Sequence, residues 1–191
     1  EERREVMHQY EKINGLYQLL SGNRKNSRMD IETYVQRHYL EQILEAANQR
    51  FQDMSAGQFE LRMCDIDKAG TGKNRGLDLM VYSAVTGKVR EVRTLSGGES
   101  FMAALSLALG MADQIQESSA AINLDMMFID EGFGSLDEHS RDQAVKVLQN
   151  MAEGEKLIGI ISHVTELKQE IEDRLIVTKD DQGSHTRWQI S

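Results

Sequence analysis

Two adjacent carboxylates, Asp130 and Glu131, close an apolar run that reads Leu124-Asp125-Met126-Met127-Phe128-Ile129. A run of that kind predicts a buried strand that delivers both acids at its C-terminal end, where α/β sheets place their ligands. Asp130 is suited to hold Mg²⁺ through water, and Glu131 to polarise an attacking water. Upstream, Leu95-Ser96-Gly97-Gly98-Glu99 directly precedes a helical pattern. Glycines let backbone N–H groups approach an anion closely. The helix N-terminus adds partial positive charge, and Ser96 adds a hydroxyl. The result is a phosphate site without a basic side chain, although a plain helix cap has the same residues. Gly132-Phe133-Gly134-Ser135-Leu136-Asp137 follows the acids as a glycine turn, with Ser135 or Asp137 as the cap of the next helix. Ser162-His163 follows a second apolar run, Leu157-Ile158-Gly159-Ile160-Ile161. A histidine at a strand end can donate to a phosphate or can simply be a satisfied polar residue.

Taken singly, each segment is common. Their order is more informative: anion loop, acid pair, glycine turn, histidine. Ser96 to Asp130 is 34 positions and Asp130 to His163 is 33. Each gap accommodates one helix and one strand, which can bring all four segments to one sheet edge.

The elements that must position them follow from periodicity. Residues 1–20 read as helix, with Val6, Tyr10, Ile13, Tyr17 and Leu20 at three- and four-residue steps. The pattern fits one strand of a coiled coil and a packed surface helix equally well. After a break at Ser21-Gly22-Asn23, a second helix runs roughly over 31–52 with Asp30 as its cap, and Ser55-Ala56-Gly57 closes it. Phe59, Leu61 and Met63, then Leu77, Leu79 and Val81, alternate with polar neighbours, and a further strand lies near 88–92. This predicts a β-meander of about three strands. Beyond it, a helix over 98–116, the strand ending in the acids, a helix over 138–152 and the strand at 157–161 imply a parallel sheet. Strands at 174–178 and 186–190 form a hairpin through Gly183.

Composition sets the outer limits. The chain has 191 residues, 40% hydrophobic and 28% charged, with net charge −9. Such a balance excludes a whole-surface nucleic-acid binder. The local basic groupings are Arg24, Lys25 and Arg28, and Lys68, Lys73 and Arg75. Each could contact DNA, and solvated surface is the plainer reading of both. No apolar run reaches the ~18 residues of a membrane span, and the charged start does not open a signal peptide. A single cysteine, Cys64, rules out an internal disulfide, fits a reducing cytoplasmic setting and reads as an inert core thiol. The complete lack of proline hints at a piece of a larger protein, or at a helix-rich chain with glycine turns.

The four chemical segments resemble the signature motif, Walker B strand, D-loop and H-loop of ABC-type ATPases. Asp130-Glu131-Gly132-Phe133-Gly134-Ser135-Leu136-Asp137 is similar to the SbcC family of bacterial exonuclease subunits, which are SMC-like. Transporters of the class usually carry a proline after the acids, and chromosome-structuring SMC proteins a different turn. Tyr34-Val35, Ala46-Ala47-Asn48, Met54-Ser55 and Phe59-Glu60-Leu61 extend the same resemblance upstream. The resemblance implies an α/β C-terminal lobe of an ABC-type head, a mostly parallel sheet flanked by helices, with the β-meander on its N-terminal side. Residues 1–22 would be the base of a returning coiled coil and 23–191 the lobe.

It also implies roles. Glu131 and His163 are catalytic, Asp130 binds Mg²⁺ through water, and Ser96, Gly97 and Gly98 cap the ATP of an opposite head. Ser135 and Asp137 line the interface between heads. Implied partners are the N-terminal ATPase lobe of the same protein, a second head in a homodimer, the nuclease subunit SbcD and double-stranded DNA, with no membrane. The phosphate loop GxxxxGK[ST] is not found in this sequence. Gly70-Thr71-Gly72-Lys73-Asn74 is no substitute. The position five before Gly72 is Asp67, and Asn74 stands where the metal-binding hydroxyl belongs. In the family that loop lies in the N-terminal lobe, so the chain alone is expected not to turn over ATP. A structural or dimerisation lobe of another SMC-like ATPase is the competing expectation.

Overall fold

In the computed structural model, residues 2–21, 29–65, 76–118, 124–152 and 156–190 are described. The basic residues Arg24, Lys25, Arg28, Lys68, Lys73 and Arg75, the Gly70–Asn74 turn and the proposed boundary at 22/23 lie outside them.

Helix α1 spans Glu2–Leu20 and α2 spans Ile31–Met54. The side chain of Asp30 caps α2 by accepting from the Thr33 N–H at 2.7 Å. That hydrogen bond to the charged form holds the Asp30 carboxyl below its ordinary range. At the other end the chain turns out of the helix through Ala56 and Gly57, both at positive φ (51° and 73°).

The meander is antiparallel: β1 (Phe59–Met63), β2 (Leu79–Ser83) and β3 (Lys88–Glu91), in the order β1-β2-β3. Asn48 ties it to α2. Its amide donates to the Leu61 carbonyl at 2.8 Å and accepts from the Leu61 N–H at 2.7 Å. One side chain thus supplies the ladder partner that the outer edge of β1 would otherwise lack. Leu44, Ala47, Phe51 and Met54 form the buried stripe of α2, with Phe51 stacked on Phe59 at 6.0 Å. Cys64 is half-buried rather than a core thiol.

Helix α3 (Gly97–Ser118) crosses α2 closely, because residue 110 has no side chain. A Cβ there would sit 2.6 Å from the Ile43 carbonyl oxygen and 2.9 Å from the Ala47 nitrogen. Arg50 reaches Asp113 at 2.6 Å across the same interface, and Lys156 meets that carboxylate at 3.5 Å.

Strand β4 (Met126–Asp130) pairs in parallel with β5 (Leu157–Ile161), and α4 (Glu138–Ala152) makes the crossover. Parallel pairing is as expected, and among the described residues it is confined to these two strands. The strands are less buried than their composition predicts. Ile129 is buried, whereas Met126, Phe128, Leu157 and Ile161 are more than half exposed. Apolar residues on both faces call for cover on both faces, and among the described residues the helices cover one. A short helix α5 (Leu167–Glu170) precedes the hairpin β6 (Arg174–Asp180) and β7 (Gly183–Gln189). Leu175, Val177 and Trp188 are also exposed there, as are Val6, Tyr10, Ile13 and Tyr17 of α1. Among the described residues, no helix is long and apolar enough to cross a membrane.

The helix crossing yields a direct test. Replacing Gly110 by Val forces α2 and α3 apart and is expected to cost about 1–3 kcal/mol of stability. Denaturant unfolding reads this out, and an unshifted midpoint would contradict the close crossing.

Candidate functional site at the strand ends

The parallel register brings Asp130 opposite Ile161. The next residue continues the contact, since the Glu131 N–H donates to the Ile161 carbonyl at 2.9 Å. Glu131 then adopts φ +58°, a left-handed conformation uncommon for a residue with a side chain. Two residues beyond Ile161, His163 meets it: Nδ1 lies 2.8 Å from Glu131 Oε2. The acid and the histidine, 32 positions apart in sequence, therefore form one hydrogen-bonded pair. Both face solvent, with side-chain exposures of 48% for Glu131 and 81% for His163. Asp130 is exposed beside them. A solvent-facing carboxylate at a strand end is the hard oxygen donor Mg²⁺ takes, and Mg²⁺ typically combines one or two carboxylates with phosphates and water. Asp130 fits that role. Among the described residues no cluster of three His, Cys, Asp or Glu could hold a metal by itself.

The turn after the acids is set by backbone chemistry. Gly132 has φ +98°, and a Cβ there would overlap the Phe101 ring of α3. Phe133 is fully buried and meets Phe101 edge-to-face at 5.1 Å. A single 3₁₀ turn, Phe133–Ser135, follows, in which the Ser135 hydroxyl donates to the Gly132 carbonyl at 2.7 Å. Asp137 caps α4. It accepts from the Ser140 N–H at 2.8 Å and the Ser140 hydroxyl at 3.1 Å, which hold its carboxyl below the ordinary range. The cap is complete at neutral pH and fades as pH falls through that lowered value, because the native state favours the ionised form.

Ser96-Gly97-Gly98-Glu99 is a capping box at the start of α3. The Glu99 N–H donates to Ser96 Oγ at 3.3 Å, and the Ser96 N–H donates to Glu99 Oε2 at 2.8 Å. The cap reading of this segment is therefore real, and the hydroxyl hydrogen of Ser96 remains available to a ligand. Gly98 packs on the turn after the acids, where an added Cβ would lie 2.8 Å from the Ser135 carbonyl oxygen. Ser96, Gly98, Ser135 and Asp137 line a single cleft of about 220 Å³, whose far wall is Ser55 and Gln58 at the α2–β1 turn.

All eight sequence-derived site residues thus fall into two neighbouring groups. Asp130, Glu131 and His163 sit at the strand ends. Ser96, Gly97, Gly98, Ser135 and Asp137 gather on the other side of the Gly132 turn. Sequence reasoning missed Ser55, Gln58, Phe101 and Arg90. The guanidinium of Arg90 lies 3.2 Å from Glu99. A basic group does therefore stand behind the anion loop.

Residues 77–150 match the family described as SbcC/RAD50-like, Walker B motif. The chain is 48% identical over 163 residues, 85% of its length, to the SbcC subunit of the nuclease SbcCD from Treponema pallidum. It is 45% identical over 179 residues, 94% of its length, to the same subunit from Vibrio cholerae. It spans only 15% and 18% of those relatives' own lengths. A solved structure titled for ATP-driven dimerization and DNA stimulated activation of SMC ATPases superposes with a TM-score of 0.63 and 15% identity, covering 82% of this chain and 88% of that one. An Smc head domain from Pyrococcus furiosus, bound to the C-terminal domain of ScpA, superposes with a TM-score of 0.58 and 17% identity, covering 82% of this chain and 36% of that one. At such identities these two structures establish the fold alone: that of an SMC ATPase head.

The Gly132 turn can be tested without nucleotide. Gly132→Ala is expected to cost on the order of 1–3 kcal/mol, from the positive φ and the collision with Phe101. Combining it with Phe101→Leu should cost less than the two single changes summed. Strict additivity in denaturant unfolding would rule out the contact.

Proposed function

The chain is an SbcC-like ATPase-head segment carrying a Walker B motif, and from that premise we propose that it is the C-terminal lobe of an ATP-hydrolysing head. The observation that carries the reading is the 2.8 Å pair between Glu131 and His163 beside Asp130, at adjoining ends of parallel strands. Glu131 polarises the attacking water. His163, through Nδ1, holds that carboxylate in place, and in its protonated form the ring also donates from Nε2 toward a phosphate. Asp130 holds Mg²⁺ through water. The ion, when bound, neutralises charge on the nucleotide phosphates.

Ser96, Gly97 and Gly98 serve a different nucleotide, bound to a second, identical head. They offer it a hydroxyl and the free N–H groups of the first turn of α3. Ser135 and Asp137 border the same cleft and line the contact between heads. Pairing then depends on ATP being in place, and hydrolysis releases it. The phosphate loop comes from an N-terminal lobe of the same protein. The nuclease subunit SbcD is the proposed partner, and DNA ends and hairpins in double-stranded DNA are the proposed substrates of that complex.

The exposed faces of β4, β5 and the β6–β7 hairpin favour a second statement about the chain in isolation. It folds and associates as a structural lobe, and does not turn over ATP without the N-terminal lobe.

Two substitutions in a head reassembled with its N-terminal lobe test these roles. Glu131→Gln should leave ATP binding intact and slow hydrolysis by about a hundredfold or more. Undiminished steady-state turnover would remove Glu131 from its role. Ser96→Arg should abolish the ATP-dependent shift from single to paired heads in size-exclusion chromatography. A normal shift would refute the trans cap.

A further inference from the structure

Glu99 poses an electrostatic difficulty for a phosphate cap. Its carboxylate sits in the first turn of α3, three residues from Ser96, and accepts the Ser96 N–H at 2.8 Å. It helps the helix, yet it places a negative charge beside the position where a phosphate would arrive. Arg90 answers that charge. Nη2 donates to the same Oε2 atom of Glu99 at 3.2 Å. Nη1 donates to the Thr94 carbonyl at 2.7 Å and lies 3.3 Å from the Thr94 hydroxyl. The guanidinium also sits 5.6 Å from the Phe59 ring centroid. The Thr94 hydroxyl in turn donates to the Glu91 carbonyl at 2.6 Å. One planar fork therefore grips both the loop leading into the anion site and the carboxylate that caps it. A lysine, a point charge on a flexible stem, cannot hold both in one geometry.

We propose that Arg90 is a positioning residue for the phosphate cap: it fixes the 94–99 loop and neutralises Glu99, so that Ser96 and the first amides of α3 can accept the nucleotide phosphate of a second head. This rests on the proposed role of Ser96–Gly98. Arg90 does not itself touch the phosphate. It acts by removing repulsion and by orienting the serine, whose Oγ is occupied as an acceptor by the Glu99 N–H and is left with its hydrogen to donate.

The decisive experiment uses the head reassembled with its N-terminal lobe and a slowly hydrolysed ATP analogue. Arg90→Gln should weaken analogue-driven pairing by about tenfold, the usual scale for losing one hydrogen bond to a charged group. Analogue affinity of single heads, measured below the pairing concentration, should not change. Glu99→Gln in the same chain is the informative second change, because glutamine keeps the capping contact to Ser96 and carries no charge. The double variant should recover most of the pairing. A loss through general loosening of the meander would not be rescued in this way, and the thermal unfolding midpoint monitors it. Normal pairing by Arg90→Gln, or a double variant as weak as the single one, overturns the proposal while leaving the ATPase reading intact. A wild-type head that does not pair with the analogue overturns that reading and this proposal with it.

Discussion

Asp130 stands opposite Ile161 in a parallel ladder, and the hydrogen bond from the Glu131 N–H to the Ile161 carbonyl carries the ladder one residue further. Everything chemical in this lobe is indexed to that register. A slip of one residue would turn Asp130 to the other face and separate Glu131 from His163. Parallel ladders hold such a register only with a crossover of adequate length, here α4, whose Ala144, Val145 and Leu148 are buried against the strands and α2. The acid–histidine pair is thus the visible end of a packing arrangement that starts in the helical layer.

The segment that ends the ladder, from Asp130 through Ser135, also joins it to the anion loop. From Asp130 the chain passes through the left-handed Glu131 and Gly132, buries Phe133 against Phe101, and presents the Ser135 carbonyl to Gly98. Two glycines, 132 and 98, are required on steric grounds: one for its φ and the ring beside it, the other for the carbonyl beside it. Neither the loop at the start of α3 nor the turn after the acids can shift independently, because each occupies space the other would need. In the proposed head, where the acids serve one nucleotide and Ser96 another, this steric contact would be the physical link between the two.

Much of this was legible in the sequence because it is local. A glycine pair before a helical pattern, acids after an apolar run and a histidine after another are each decided by a few adjacent residues. The elements themselves followed the same logic, and helix α4 matches its expected span of 138–152. What could not be read depends on residues that meet only through the fold. Arg90 lies on a strand and Glu99 on a helix, and nothing in either sequence neighbourhood names the other. Asn48 pairing with the backbone of Leu61, and Ser55 and Gln58 forming a cleft wall, are likewise products of the α2–β1 corner. The burial of β4 was overestimated for a related reason: apolar composition reports what a strand needs, and the cover for its second face has to come from elsewhere.

That second face bears on the chemistry. Met126 and Phe128 alternate with the inward Met127 and Ile129 and lead directly to Asp130 on the exposed side, while Leu157 and Ile161 extend the same apolar surface on β5. The Phe128 ring folds over Gly159 of the neighbouring strand, partly sheltering it. Strands in parallel pairing are ordinarily covered on both faces, and each large apolar side chain left in water forgoes about 1.5–3 kcal/mol of burial. The carboxylates therefore stand at the rim of a surface that is energetically incomplete. A segment that covers it stabilises the sheet, excludes water from beside the acids and strengthens their electrostatic interactions by lowering the local dielectric. Completing the fold and completing the site are in this sense the same event. On the proposed reading, a lobe built this way gains its catalytic environment together with whatever surface covers its sheet.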